Sequence, residues 1–347
     1  KIMMLSYADE APLMEDSLTQ IYEVCERYDV DIERVFMIGN DFMAQETIND
    51  FCKRHEKLPI RYITYWNMVG HLGEIVKEGF DINFGTKRDV NVVTYNRRFG
   101  PERASLLHEL WQRGCHEKSL HWSAFPPQRP GAIVTADNFV HTQNAWSTWT
   151  FLENENKFEQ FKKEMKFGEC VDDGKGFIVT IDEMGRLPRT SYQWVITEST
   201  AELSHAMFLT EKTLKPFFTG QGFLVYNTPG TAKVIKDLGF VDLDQFKIDH
   251  SYDTELNPKR RMSMLADEID KIASIPEDEA FSMWQKSSDE ILHNKDRFNK
   301  LTSESYYEKC DDRFIREVFT DPLDRKEVMN RTMQDEVELT KFDLDNS

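Results

Sequence analysis

The stretch FLTEKTLKPFFTGQGFLVYNTPG, residues 208–230, decides how the chain is read. It reads as a short helix, then an apolar strand, GFLVYN, then a glycine turn. Thr210 is a residue type that caps helix starts, and Glu211 suits a first turn. Lys212 and Lys215 do not: the aligned peptide dipoles leave partial positive charge at a helix N-terminus, which repels cations. Pro216 has no N–H to give the carbonyl of Lys212, so the helix is short, kinked or late in starting. Backbone groups near Lys212 are thereby left for other partners.

Upstream, strand and helix patterns alternate. KIMMLSY reads as a strand, LMEDSLTQIYEVCERY as an amphipathic helix, and RVFMIGND as a second strand. FMAQETINDFCKRH follows as a second helix and IRYITYW as a third strand. Apolar runs of this length between helical patterns predict a parallel sheet with helical crossovers. The polar segment GTKRD marks a break, and a second series begins with the strand VNVVTYN. The helix GPERASLLHELWQRG carries Pro101 near its first turn, where proline is tolerated. Residues 126–190 are polar and irregular, with some helix expected around 155–166. The strand YQWVITE, the quoted stretch and the helix GTAKVIKDLG complete the second series. Beyond about residue 257 the chain is charged and helical in spacing, and the tail after 321 reads as frayed. The expectation is an α/β unit over 1–88, a second over 89–256, and a helical region over 257–347, whose charged helices present solvated faces.

Composition narrows the function classes. Lys and Arg number 43 against 61 Asp and Glu, a formal charge of -18. Such a chain has no general attraction for nucleic acid or anionic membranes, so any basic site is local. No apolar run approaches the ~20 residues of a membrane span. The five cysteines, Cys25, Cys52, Cys115, Cys170 and Cys310, form no CxxC pair, which fits a reduced, cytoplasmic setting.

Three segments of the second series fall at or just after predicted strand ends, the edge where open α/β sheets bind ligands. YNRRFGPER carries Arg97, Arg98 and Arg103, ITES carries Glu198, and FLTEK carries Phe208, Thr210, Glu211 and Lys212. Helix N-termini with nearby Arg or Lys bind phosphate, and carboxylates at such an edge hold ribose hydroxyls. A diphosphate docked there makes Lys212 and Lys215 favourable. The alternative is an ordinary capped helix with its lysines extending into water.

These segments resemble the carboxyl-terminal domain of GT-B glycosyltransferases, most of all the α1,3-fucosyltransferase type and glycosyltransferase-like proteins encoded by bacteriophages. The resemblance rests on Glu198-Ser199-Thr200 at a strand end, Phe208-Leu209-Thr210-Glu211-Lys212 at a helix start, the Asn96…Arg103 segment and the strand–glycine element that follows. It covers roughly residues 90–255, and Ser199 stands where the family usually has Asn. It implies two Rossmann-type α/β domains facing across a cleft, with C-terminal helices. It implies that Glu211 binds ribose and that Lys212 and Arg103 hold the diphosphate of a nucleotide-sugar donor. The implied activity is glycosyl transfer to an acceptor, a glycan or a modified nucleic acid.

Arg103, Lys212 and a helix N-terminus supply the charge that stabilises a leaving diphosphate, so no metal cofactor is expected. Asp242-x-Asp244 and Asp29-x-Asp31 match a DxD metal motif but sit in acidic, exposed-looking segments. His116 and His121 lack a third ligand. An inverting transfer also needs a base on the first unit. Strand ends there offer Asp9, Glu10 and Asp41, with His71 further on. Two rival readings remain: a nucleotide- or glycan-binding protein without catalysis, and a DNA-modifying glycosyltransferase of phage type.

Overall fold

The computed structural model describes residues 3–6, 13–66, 81–96, 101–115, 119–123, 191–198, 206–320 and 325–347. Over these residues the chain is mixed α/β, mostly helical, with two small sheets. In the first, β1 (Met3–Ser6), β2 (Val35–Gly39) and β3 (Arg61–Thr64) lie in that order, all parallel. The helices α1 (Glu15–Arg27) and α2 (Ala44–His55) form the crossovers. Leu18, Tyr22 and Cys25 recur at helical spacing and pack with Ile48, Phe51 and Cys52 over Val35 and Met37.

The second sheet holds β4 (Val90–Asn96), β5 (Leu120–Ser123), β6 (Ser191–Thr197) and β7 (Gly222–Tyr226), parallel in the order β5-β4-β6-β7. Helix α3 (Pro101–Gln112) follows β4, and α4 (Glu211–Thr219) and α5 (Thr231–Asp237) flank β7. Every residue of β6 and β7 is buried, the mark of parallel strands covered on both faces. Trp194, Ile196, Phe217 and Phe223 fill one side; Val195, Leu224, Leu265 and Trp284 fill the other. The chain leaves β4 in one direction to reach β5 and lies on the other side in β6 and β7. The strand order therefore reverses between β4 and β6. At such a switch point the carboxyl ends of two strands diverge and leave a crevice suited to a ligand.

The C-terminal helices divide between the two sheets. Helices α6 (Pro258–Ala273), α7 (Glu277–Lys286) and α8 (Ser288–Leu301) pack on the second unit. Helix α9 (Glu304–Ile315), a π-helical turn (Arg316–Thr320), α10 (Arg325–Asn330) and α11 (Met333–Asp345) keep Tyr306, Cys310, Val337 and Leu344 in the core of the second and reach back to the first. There Arg313 donates to the carbonyl of Thr64, Asn49 to that of Val328, and the Met333 N–H to Glu46.

Several expectations change. The stretch 277–301 keeps a helical spacing throughout its sequence but is broken at the buried Ser287. The tail after 321 is not frayed: Thr332 and Asp335 form a capping box, and Val337 and Leu344 are core residues. Nor are the charged helices simply solvated, since Arg313, Glu317, Glu336 and Asp343 are buried. β5 has no counterpart in the sequence reading. Residues 126–190 lie outside the described residues. Cys25, Cys52, Cys115 and Cys310 are buried free thiols. Among the described residues no helix is long and apolar enough to cross a membrane.

Candidate functional site

The start of α4 is the centre of the candidate site. Thr210 is in extended backbone, φ -101° and ψ -174°, and its hydroxyl oxygen accepts from the Lys212 N–H at 3.3 Å. Gly220 ends the helix at φ 72°, the left-handed region that glycine adopts without strain. Pro216 lies inside the helix, as its short length allows.

An anion already occupies this helix start, and the chain supplies it. The Glu198 side chain follows β6 and is 0% exposed. Its Oε1 accepts from the Thr210 N–H at 3.0 Å and the Thr213 hydroxyl at 2.8 Å. The Thr210 hydroxyl donates to the same carboxylate, at 2.8 Å from Oε2, and accepts from Lys212 Nζ at 2.9 Å. Lys212 Nζ lies 3.3 Å from Glu198 Oε2. A cation unfavourable beside bare helix dipoles is thus balanced by a buried carboxylate.

Glu211 differs from Glu198. Its Oε1 lies 3.9 Å from Lys212 Nζ and 4.0 Å from Lys215 Nζ. Its Oε2 is buried and has no hydrogen-bond partner. Burial raises the Glu211 carboxyl, but Lys212, Lys215 and hydrogen bonding from its own N–H and the Thr210 side chain together outweigh burial and hold it below its ordinary value. Oε2 of this ionised carboxylate is the oxygen left without a donor.

Arg103, on α3, is buried, and its Nη2 donates to the carbonyl of Thr197 at 3.3 Å, next to Glu198. The guanidinium thus joins the β4 side of the switch point to the end of β6. Lys212 thus faces both Glu198 and Glu211, and Lys215 faces Glu211.

Residues 206–209 approach this site as a fully buried extended strap. Its carbonyls alternate in direction, as an extended chain requires. Those of Ala206 and Phe208 accept from Thr228 Oγ1 and Asn227 Nδ2 of the second unit. Those of Met207 and Leu209 accept from the Phe42 N–H and Trp66 Nε1 of the first. Asp41 and Phe208 form an isolated antiparallel bridge.

Asp41 is 2% exposed. Its Oδ1 accepts from the Met207 and Met43 N–H groups, each at 2.9 Å, while Oδ2 is buried without a hydrogen-bond partner. Burial pushes this carboxyl up to about 6, against the lowering effect of the two N–H bonds. Of the other carboxylates considered as bases, Asp9 and Glu10 lie outside the described residues, as do Arg97, Arg98, His71 and His116.

The DxD matches are occupied otherwise. Asp242 pairs with Lys236 and with His250, and Asp31 caps a short 3-10 turn through the Glu33 N–H. Sequence reasoning missed Thr213, Asn227, Thr228 and Trp66 as builders of the site. Thr213 carries a faint signal, standing three residues after the Thr210 cap and so on the same helix face. Comparison with protein-family models, curated proteins and solved structures finds no match to this chain.

Proposed function

We propose that the chain binds a nucleoside diphosphate sugar at the carboxyl edge of the second sheet and transfers the sugar to an acceptor. The observation that carries this reading is Glu211: a buried carboxylate oxygen without a donor, between two lysines, beside the switch point. A ribose hydroxyl supplies the missing donor, and the adjoining diphosphate meets Lys212, Lys215 and Arg103. The rigid Glu198–Thr210–Lys212 network orients these groups before a ligand arrives, which lowers the cost of ordering them on binding. A GT-B-like pair of Rossmann-type units accompanies the reading, and the parallel order of both sheets supports it.

In the transfer, the bond between the anomeric carbon and the diphosphate oxygen breaks, and negative charge grows on the diphosphate. Arg103 and the two lysines stabilise that charge, the task a divalent ion performs elsewhere. The acceptor's proton passes to a carboxylate of the first unit. Asp9 and Glu10, which follow the first strand in the sequence, are the candidates for this, because Oδ1 of Asp41 is committed to the strap. Activity is expected to persist in excess EDTA.

Thermal-shift screening with UDP, GDP, CMP and their sugars tests the reading, followed by assay of donor hydrolysis. A ligand at 100 times its Kd adds about 2.7 kcal/mol to stability. A shift with a nucleoside diphosphate together with turnover supports transfer. A shift without turnover favours a binding protein, and no shift with any nucleotide removes the donor site.

A further inference from the structure

We infer that Asp41 is a positioning residue: through the strap 206–209 it fixes the start of α4 and so sets the affinity of the Glu211–Lys212 site for a diphosphate. The inference deepens the donor-site reading and rests on it for its ligand arm. Asp41 belongs to the first unit, at the end of β2, yet its carboxylate holds the Met207 N–H at 2.9 Å. Phe42 and Trp66 hold the same strap by its carbonyls. From Met207 only Phe208 and Leu209 intervene before Thr210, the cap whose hydroxyl and N–H bind Glu198. All four strap residues are buried, and each carbonyl has a named donor. A displacement at Met207 is therefore not absorbed by slack: a packed segment with every carbonyl bonded transmits it to its end. The donor site is thus built by the second unit and held in register by the first.

Hydrogen exchange and calorimetry on the full chain test this together. Asp41→Ala removes the acceptor for the Met207 N–H, whereas Asp41→Asn keeps an acceptor oxygen there, loses the ionisation and puts an NH2 group in place of Oδ2. Trp66→Phe removes the bond to Leu209 and keeps most of the ring. Tyr22→Phe damages the first unit elsewhere, removing the hydroxyl that donates to the carbonyl of Leu58.

In Asp41→Ala and Trp66→Phe, the amides of Thr210, Lys212 and Thr213 are expected to exchange at least about tenfold faster, the scale of a lost local contact. UDP or GDP should bind roughly tenfold more weakly in the same two variants. Asp41→Asn should restore both properties, and Tyr22→Phe should change neither. Should Asp41→Ala fail to fold, Trp66→Phe and Asp41→Asn still decide the question.

Unchanged α4 amides in Trp66→Phe, or failure of Asp41→Asn to protect them, overturns the coupling. Faster exchange with unchanged nucleotide affinity overturns the claim on the ligand while the donor site stands. If the parent binds neither UDP nor GDP, the donor-site reading fails, and exchange alone decides whether Asp41 positions α4.

Discussion

Lys212 stands at the positive end of a helix because a buried carboxylate, Glu198, stands there with it. The pair is part of the fold as well as of the site. Lys212→Met is expected to cost about 1–3 kcal/mol without any ligand, since it removes a charged partner of a fully buried acid. Urea unfolding checks this; unchanged stability shows that Thr210 and Thr213 alone satisfy Glu198. Asp41 gives a pH signature with a definite sign. Its folded value of about 6 lies above the ordinary 3.8, so its contribution to stability is present below about pH 4 and lost as pH rises through 6. Asp253, also raised to about 6 by burial, adds a parallel contribution. Asp41→Asn should therefore gain on the parent by about 2–3 kcal/mol between pH 4 and pH 7, the free energy of moving the carboxyl from 3.8 to about 6. Unfolding at the two pH values measures it, and an unchanged difference contradicts the burial argument.

Elements buried on both faces were the most legible. β4, β6 and β7 are near-continuous apolar runs, and α1 and α2 show their buried stripes as plain helical periods. β5 was not readable because four residues, Leu120–Ser123, carry too short a pattern. The break at Ser287 was hidden because the sequence on both sides keeps a helical period. Within β6, Gln193 is 0% exposed and neither amide atom has a hydrogen-bond partner. Gly222 leaves the room it needs: a Cβ there would lie 2.1 Å from Gln193 Oε1. Gly222→Ala is expected to cost at least ~2 kcal/mol, as overpacking does. It should cost much less in a Gln193→Ala background, and a double-mutant cycle reads the coupling. Additive costs would mean that the sheet itself, not the amide, rejects the methyl group.

At the scale of the whole molecule, the chain returns on itself. Arg331 pairs with Glu317 at 3.1 Å and with the buried Glu336 at 3.3 Å, joining α11 to the π-helical turn that packs on β3. Arg331→Met strands a buried acid and should cost about 3–5 kcal/mol; a loss under 1 kcal/mol in urea unfolding would deny these helices that part in the fold. None of this was legible, because the pairing residues lie in segments whose composition is that of a solvated surface. The candidate site was half legible for a related reason. Glu198, Arg103 and the Thr210-Glu211-Lys212 run stand at strand and helix ends that periodicity locates. The bond from Met207 to Asp41 spans 166 positions and leaves no local trace. The central claim is that Glu211 awaits a ribose hydroxyl beside a diphosphate. Calorimetric titration of UDP or GDP and of inorganic pyrophosphate against the parent and Glu211→Gln tests it most directly. The variant should bind the nucleotide more weakly and pyrophosphate as well or better, because it loses a charged acceptor and a repulsive charge together. Equal loss for both ligands, or no change for either, contradicts the ribose role of Glu211 and the function built on it.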